Sequence, residues 1–368
     1  MQLDAITVHN FKNIAQATME FSPKINGLLG NNGMGKSNLL DAIHFMSFCK
    51  SFAGVTDAMV IRQGEDFAMV RALYTRRDAP EELTLGMARG RRKSLKRGGK
   101  EYGRLSEHIG AFPLVMAAPQ DSELVRGSGE ERRKWMDMVI SQSSSRYLDA
   151  LIRYNAALEQ RNRLLRDGAT DRGLYEVLEM QMDAAASLIS GERRQWTARL
   201  AELAQRFYSA IAGDSAETVG LDYETRLTEG TSLTDLLAEA RIRDTALRHT
   251  SVGTHRDDIG MTINGMPMRR TASQGQCKTF TTALRLAQYE FLHEASGLRP
   301  LLLLDDIFDK LDATRVERII SLVTADNFGQ IFITDTNRTH LDEIMHRTGG
   351  DYRLWSVADG NFTSIIGS

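Results

Sequence analysis

Short apolar runs separated by turn residues dominate the first third of the chain. Leu3-Asp4-Ala5-Ile6-Thr7-Val8 alternates with the period of a half-buried strand, and Ile25 to Leu29 predicts another strand that enters a glycine-rich turn. Leu83 to Arg104 predicts a hairpin turning at Gly98-Gly99. From about Glu130 to Arg248 the period becomes helical. Tyr147, Leu151, Tyr154, Leu158 and Leu165 recur on one face, as do Leu174, Val177 and Leu178, and later Trp196, Leu200, Leu203, Phe207 and Ile211. The turn-rich segment Asp167 to Gly173 breaks the two stretches, so the simplest object is a helical hairpin projecting from the first region, its stripe being self-packing core. Strand and turn signals then return. Asn264-Gly265 between short alternating runs predicts a type I′ hairpin. A long helix, the buried strand Leu301 to Leu304, a helix and the strand Gln330 to Thr334 complete an α/β pattern without internal repeats.

Composition narrows the class. The chain has 368 residues, 42% hydrophobic and 26% charged, enough for two or three domains. Its longest apolar runs fall far short of the roughly 20 residues of a membrane span. Met1-Gln2-Leu3-Asp4 does not open a secretory leader, and two distant cysteines, Cys49 and Cys277, make neither a disulfide framework nor a zinc site. A cytoplasmic protein without a membrane partner is expected. The net charge is -2, so binding to a polyanion would rest on local basic patches.

The sharpest signal is Gly30-Asn31-Asn32-Gly33-Met34-Gly35-Lys36-Ser37, a complete G-x-x-x-x-G-K-[ST] phosphate loop between a strand and a helix. Its glycines let backbone N–H groups turn toward phosphate oxygens, and the helix N-terminus adds positive potential. Lys36 reaches β- and γ-phosphates, and the Ser37 hydroxyl suits Mg²⁺, so ATP with Mg²⁺ is the expected cofactor. Leu301-Leu302-Leu303-Leu304-Asp305-Asp306 is a buried strand ending in two carboxylates, where a parallel sheet places chemistry. Asp305 suits Mg²⁺, directly or through water, and Asp306 suits orienting or deprotonating the attacking water. The acidic run to Asp312 lacks the Gly and Glu of a calcium loop.

Ser273-Gln274-Gly275-Gln276 opens the long helix, with Ser273 and Gln276 spaced as a capping box. Locally it reads as a capped helix start. His255-Arg256-Asp257 superficially matches a kinase catalytic loop, but no Asp-Phe-Gly follows and the phosphate loop is of another type, so a structural turn is the better reading.

A Ser-x-Gly-Gln helix start shortly before an apolar strand ending in two acids is the arrangement of ABC-type ATPases. The elements together resemble the ABC-type heads of the SMC superfamily, and most closely the RecF family of bacterial recombinational repair. The similarity runs through nearly the whole chain. Val8 to Ile14 looks like the family's opening strand, and Pro119 to Gly127 with Glu131 to Asp137 like the start of its arm. Tyr154 through Gln160-Arg161-Asn162-Arg163-Leu164-Leu165 resembles the arm helix, and Gly253-Thr254-His255-Arg256-Asp257-Asp258 precedes the hairpin in family order.

The resemblance implies a discontinuous ABC-type P-loop head at 1–128 and 249–368, a mixed sheet with helices, plus an inserted helical arm at 129–248. It implies an ATP-dependent homodimer in which Ser273, Gly275 and Gln276 meet the γ-phosphate bound by the other copy. It implies a slow DNA-stimulated ATPase of DNA repair, replication restart and the damage response. DNA at single-strand gaps or single-to-double-strand junctions, and duplex DNA, would be its partners, with RecR and RecO. Gln120 stands where Glu is usual and becomes the Q-loop residue. Lys12 replaces the usual Arg, Thr254 the usual Pro, Asp306 the usual Glu, and Asp335 the switch His of many ABC proteins. Two alternatives stay open: a clamp on DNA in which hydrolysis serves only release, and a transporter-type ATPase. The latter normally spaces the phosphate loop and acidic strand more closely than Lys36 and Asp305 stand here.

The densest basic run, Arg89 to Lys100, lies on the predicted hairpin. Arg91, Lys93, Lys96 and Arg97 are the expected DNA contacts, although an edge strand that resists aggregation carries the same charges. Arg132, Arg133, Arg161 and Arg163 on the arm are the next candidates.

Overall fold

Leu301–Asp305 is buried at every position, which is why it reads as an unbroken apolar run instead of an alternating one. The structure, a computed structural model, describes residues 1–213, 216–308, 311–325, 327–338 and 351–365. Residues 309 and 310 of the acidic run therefore lie outside the described residues. The chain begins with β1 (Gln2–Phe11), β2 (Ile14–Glu20), β3 (Ile25–Leu29), α1 (Lys36–Phe48) and the one-turn α2 (Asp57–Val60). Strands β4 (Phe67–Arg76), β5 (Ala79–Ala88), β6 (Ser94–Arg97), β7 (Lys100–Glu101) and β8 (Leu114–Ala117) follow. Next come α3 (Ser122–Arg126), α4 (Gly129–Ser143), α5 (Ser145–Asp167), α6 (Arg172–Ala212), β9 (Val219–Glu224) and α7 (Leu233–Leu247). Strands β10 (Asp258–Ile263) and β11 (Met266–Pro267) precede α8 (Met268–Thr271) and α9 (Gln274–Ser296). The described part closes with β12 (Leu301–Asp305), α10 (Ala313–Thr324), β13 (Ile331–Asp335), β14 (Tyr352–Ala358) and β15 (Asn361–Ile365).

Two compact units divide these elements. The first comprises Met1–Asp121, Ala210–Gly213 and Arg285–Ser368. It holds a mixed sheet of order β15-β14-β3-β13-β12-β8, in which only β15 runs antiparallel to its neighbour. Its second sheet is antiparallel, of order β2-β1-β4-β5-β6-β7. Helix α1 is buried along almost its whole length and touches strands of both sheets. The segment 83–104 differs from a single hairpin. A first turn at 89–93 separates β5 from β6, and the glycine turn then joins β6 to β7. Local glycine content marked the second turn and concealed the first.

The second unit, Ser122–Ser209 and Asp214–Leu284, holds the helices α3 to α8, the start of α9 and a small sheet of order β11-β10-β9. Tyr147, Tyr154, Trp196, Leu200 and Leu203 are core, and Trp135 meets Trp196 edge-on at 5.1 Å. Leu174 and Val177 are not: both are about half exposed at 51% and 56%, because the first turns of α6 turn that face outward. The Asn264-Gly265 turn has positive φ at both residues, as a type I′ turn requires. Two buried guanidinium groups tie the unit together. Arg161 bonds Glu179, Asp244 and Thr250, and Arg193 bonds Asp137, Asp257, the Tyr147 hydroxyl and the Thr254 carbonyl. A buried charge demands such pairing, and removing one partner from such a pair costs about 3–5 kcal/mol.

Candidate nucleotide site

The parallel strands end at one edge, and the phosphate loop leaves β3 there. Asn31, Asn32 and Gly33 form its exposed crest, while Gly35 and Lys36 are buried where α1 begins. Two glycines have specific reasons. A Cβ on Gly30 would lie 2.4 Å from the Val357 carbonyl oxygen of β14, and Gly35 caps α1 with φ 115° beside the Asn13 amide. Met34 is braced from the β14–β15 turn, where Gly360 donates its N–H to the Met34 carbonyl at 2.8 Å. Lys36 spans the loop from within, its Nζ donating to the carbonyls of Gly30 at 2.6 Å and Asn31 at 3.1 Å.

The acidic strand end comes to the loop. Ser37 Oγ donates to Asp305 Oδ1 at 2.9 Å, although 268 residues separate them. Thr334, at the end of the intervening strand β13, donates to the same oxygen at 2.7 Å and accepts the Asp306 N–H at 3.1 Å. Asp306 itself is half-buried with φ 46°. Asp335 accepts the Asn337 N–H through its carboxylate at 2.7 Å, and its carbonyl accepts the Gly30 N–H at 3.4 Å. Gln120 is exposed just beyond β8. Its neighbour Asp121 is buried and forms two bonds with the Arg285 guanidinium, at 2.9 and 2.5 Å.

Other predicted positions have partners of their own. Lys12 pairs with Asp41 of α1 at 2.6 Å, and the same carboxylate accepts the Ser51 hydroxyl at 2.6 Å and the Phe52 N–H at 2.5 Å. One turn along α1, burial lowers His44 to about 4, so it stays neutral. The capping box forms in both directions. Ser273 Oγ accepts the Gln276 N–H at 3.2 Å and Gln276 Oε1 accepts the Ser273 N–H at 2.7 Å. Gln276 also donates to Glu217 at 2.5 Å, and Glu217 accepts the Tyr208 hydroxyl of α6 at 2.6 Å. Ser273 is exposed and Gly275 half-buried. The His-Arg-Asp-Asp stretch packs as a turn. His255 meets the Tyr154 hydroxyl at 2.8 Å, Asp257 holds Arg193, and Asp258 accepts from Nε and Nη2 of Arg132.

The basic run splits in two. Arg91 and Lys96 are exposed. Lys93 pairs with Asp57 at 2.9 Å above the Phe45 ring, and Arg97 forms two bonds with Glu81, which hold that carboxyl below its usual range. Among the arm arginines, Arg161 is fully buried and Arg132 is committed to Asp258, so neither is a surface for DNA. Arg163 is exposed.

Sequence reasoning missed Thr334, Asp41, Arg285 and Glu217. Each acts through a partner distant in sequence, and only the Thr334 position, one residue before a strand's acidic end, carried a local hint.

A phosphate loop and an acidic strand end, two strands apart in the parallel part of one mixed sheet and joined by a hydroxyl–carboxylate bond, define an ABC-type P-loop ATPase head with an inserted helical arm. Residues 2–352 match the family described as RecF/RecN/SMC N terminal domain. The chain is 49% identical over 360 residues to the DNA replication and repair protein RecF of Parabacteroides distasonis, covering 98% of each. A solved structure of the recombination mediator protein RecF-ATP in the RecFOR pathway superposes with a TM-score of 0.89 at 28% identity, over 99% of this chain and 97% of that one. The Smc head domain of Pyrococcus furiosus, bound to the C-terminal domain of ScpA, shares the fold at a TM-score of 0.59 and 16% identity, over 99% and 95%. The chain belongs to the RecF family. Among the described residues, no helix is long and apolar enough to cross a membrane.

Proposed function

We propose that the chain binds ATP with Mg²⁺ on this loop and uses the nucleotide as a switch for holding DNA during recombinational repair. The observation that supports it most directly is the 2.9 Å bond between Ser37 and Asp305. A hydroxyl and a carboxylate are oxygen ligands of the kind Mg²⁺ takes while keeping waters and phosphate oxygens. When bound, the ion neutralises charge on the β- and γ-phosphates.

The residues of the chain supply the remainder. Backbone N–H groups between Gly30 and Ser37 cradle the phosphates, with Asn31, Asn32, Gly33, Met34 and Gly35 forming the turn. Lys36 exchanges its two loop carbonyls for phosphate oxygens. Asp306 orients or deprotonates the attacking water, and Gln120 senses the bound nucleotide. Ser273, Gly275 and Gln276 of a second copy complete the site at the γ-phosphate, so ATP and not ADP drives dimerisation. The names of the relatives support DNA as the larger partner; single-strand gaps or junctions, and duplex, are the forms proposed for it. RecR and RecO are the proposed protein partners, in the cytoplasm, and hydrolysis is slow and stimulated by DNA.

The test is direct. Lys36→Ala is expected to abolish binding of a fluorescent ATP analogue. Lys36→Arg, which keeps the charge but not the compact ammonium, is expected to bind and turn over poorly. Wild-type turnover by Lys36→Ala would falsify the assignment.

A further inference from the structure

Thr334 is fully buried near the end of β13, between β3 and β12. Its hydroxyl donates its one proton to Asp305 Oδ1 at 2.7 Å and accepts the Asp306 N–H at 3.1 Å. Each bond fixes the direction of the other, because a hydroxyl that has given its proton can only accept elsewhere. Asp305 Oδ1 also accepts a hydrogen bond from the Ser37 hydroxyl at 2.9 Å, so hydroxyls from α1 and β13 converge on one carboxylate oxygen. The second bond bears on the neighbouring backbone. Asp306 has φ 46°, a left-handed conformation that Asp adopts more readily than most residues and that the bond to its N–H helps to hold.

We propose that Thr334 is a positioning residue for ATP hydrolysis. Its hydroxyl sets the Asp305 carboxylate toward Ser37 and holds Asp306 in the left-handed turn from which its side chain acts. This rests on the roles given above to Asp305 and Asp306. Valine at this position keeps the shape but leaves the Asp306 N–H without its acceptor and Asp305 one donor short. Alanine removes the hydroxyl and the methyl together, and serine removes only the methyl.

The experiment is steady-state ATP hydrolysis against Mg²⁺ concentration for the wild type and for Thr334→Val, Thr334→Ala and Thr334→Ser. Melting temperature and affinity for a non-hydrolysed ATP analogue are measured alongside. For Val and Ala, kcat is expected to fall about tenfold to a hundredfold, the scale of a reacting group misplaced by about 1 Å. The Mg²⁺ needed for half-maximal turnover rises, analogue affinity without Mg²⁺ is unchanged, and Ser restores kcat. A purely structural role would lower the melting temperature without moving the Mg²⁺ dependence. Wild-type turnover by Thr334→Val, or a Ser variant as slow as the Ala one, overturns the proposal. If Thr334→Val does not fold, the Ser–Ala comparison decides. Lys36→Ala, run in parallel, separates the two ideas. Active Lys36→Ala removes the site assignment itself, whereas inactive Lys36→Ala beside a fully active Thr334→Val removes only the role of Thr334.

Discussion

Asp306 holds φ 46°, a conformation that asparagine tolerates and glutamate resists at a cost of about 1–2 kcal/mol. That backbone gives a physical reason for a shorter acid where most ABC enzymes carry Glu. It also makes Asp306→Asn a clean test, since the turn survives and only the charge is lost. The variant is expected to melt like the wild type and to bind ATP. Its single-turnover hydrolysis should fall by at least about a hundredfold, the lower range for losing a general base. The ATP-bound dimer should then outlive that of the wild type. Asp306→Glu should melt lower without turning over faster. Normal hydrolysis by the Asn variant would move the base elsewhere.

The strands β5 to β7 carry the basic run, and their pairing divides its charges by availability. Lys93 and Arg97 hold Asp57 and Glu81, while Arg91 and Lys96 are exposed. Replacing Arg91 and Lys96 together with Ala is expected to flatten the log–log salt dependence of duplex binding by about 1.8, at about 0.9 for each phosphate that is no longer neutralised. Arg97→Ala should instead cost roughly 1 kcal/mol of stability by taking two hydrogen bonds from Glu81, which keeps its ion pair with Arg76 at 3.6 Å. Urea titration and binding isotherms across salt separate the two effects. An unchanged slope in the double variant would send the search to Arg163. Much of this level was legible in the sequence. The phosphate loop, the capping box, the Asn-Gly turn and the buried acidic strand each carry a local pattern. Strand β9 was not, because only Leu221 of its residues is buried and its short alternation is lost among polar neighbours. The ion pairs of Lys93 and Arg97 were invisible for another reason: Asp57 and Glu81 meet them through sheet packing and register, not through spacing.

For the whole molecule, the proposed switch places Ser273 against a nucleotide held by another copy. Light scattering should then give a dimer with ATP and a monomer with ADP or no nucleotide. Ser273→Arg should remain folded and bind ATP as a monomer, since the residue is exposed and its capping bond is one of two. Equal dimer populations in all three nucleotide states would refute the switch. The sheet order carries a separate consequence for biosynthesis. Among the described residues, strand β3, which delivers the phosphate loop, has β13 and β14 as its two neighbours in the sheet, and Gly30 is packed against Val357 of β14. Both neighbours are translated after the helical unit. A nascent chain that has already made its loop sequence must therefore carry an apolar strand with two open edges until β13 and β14 have been made. Such a strand invites aggregation. The phosphate loop thus cannot take its shape before β14 is made, and a chain cut short between the helical unit and β13 would carry the loop sequence without the strands that flank it.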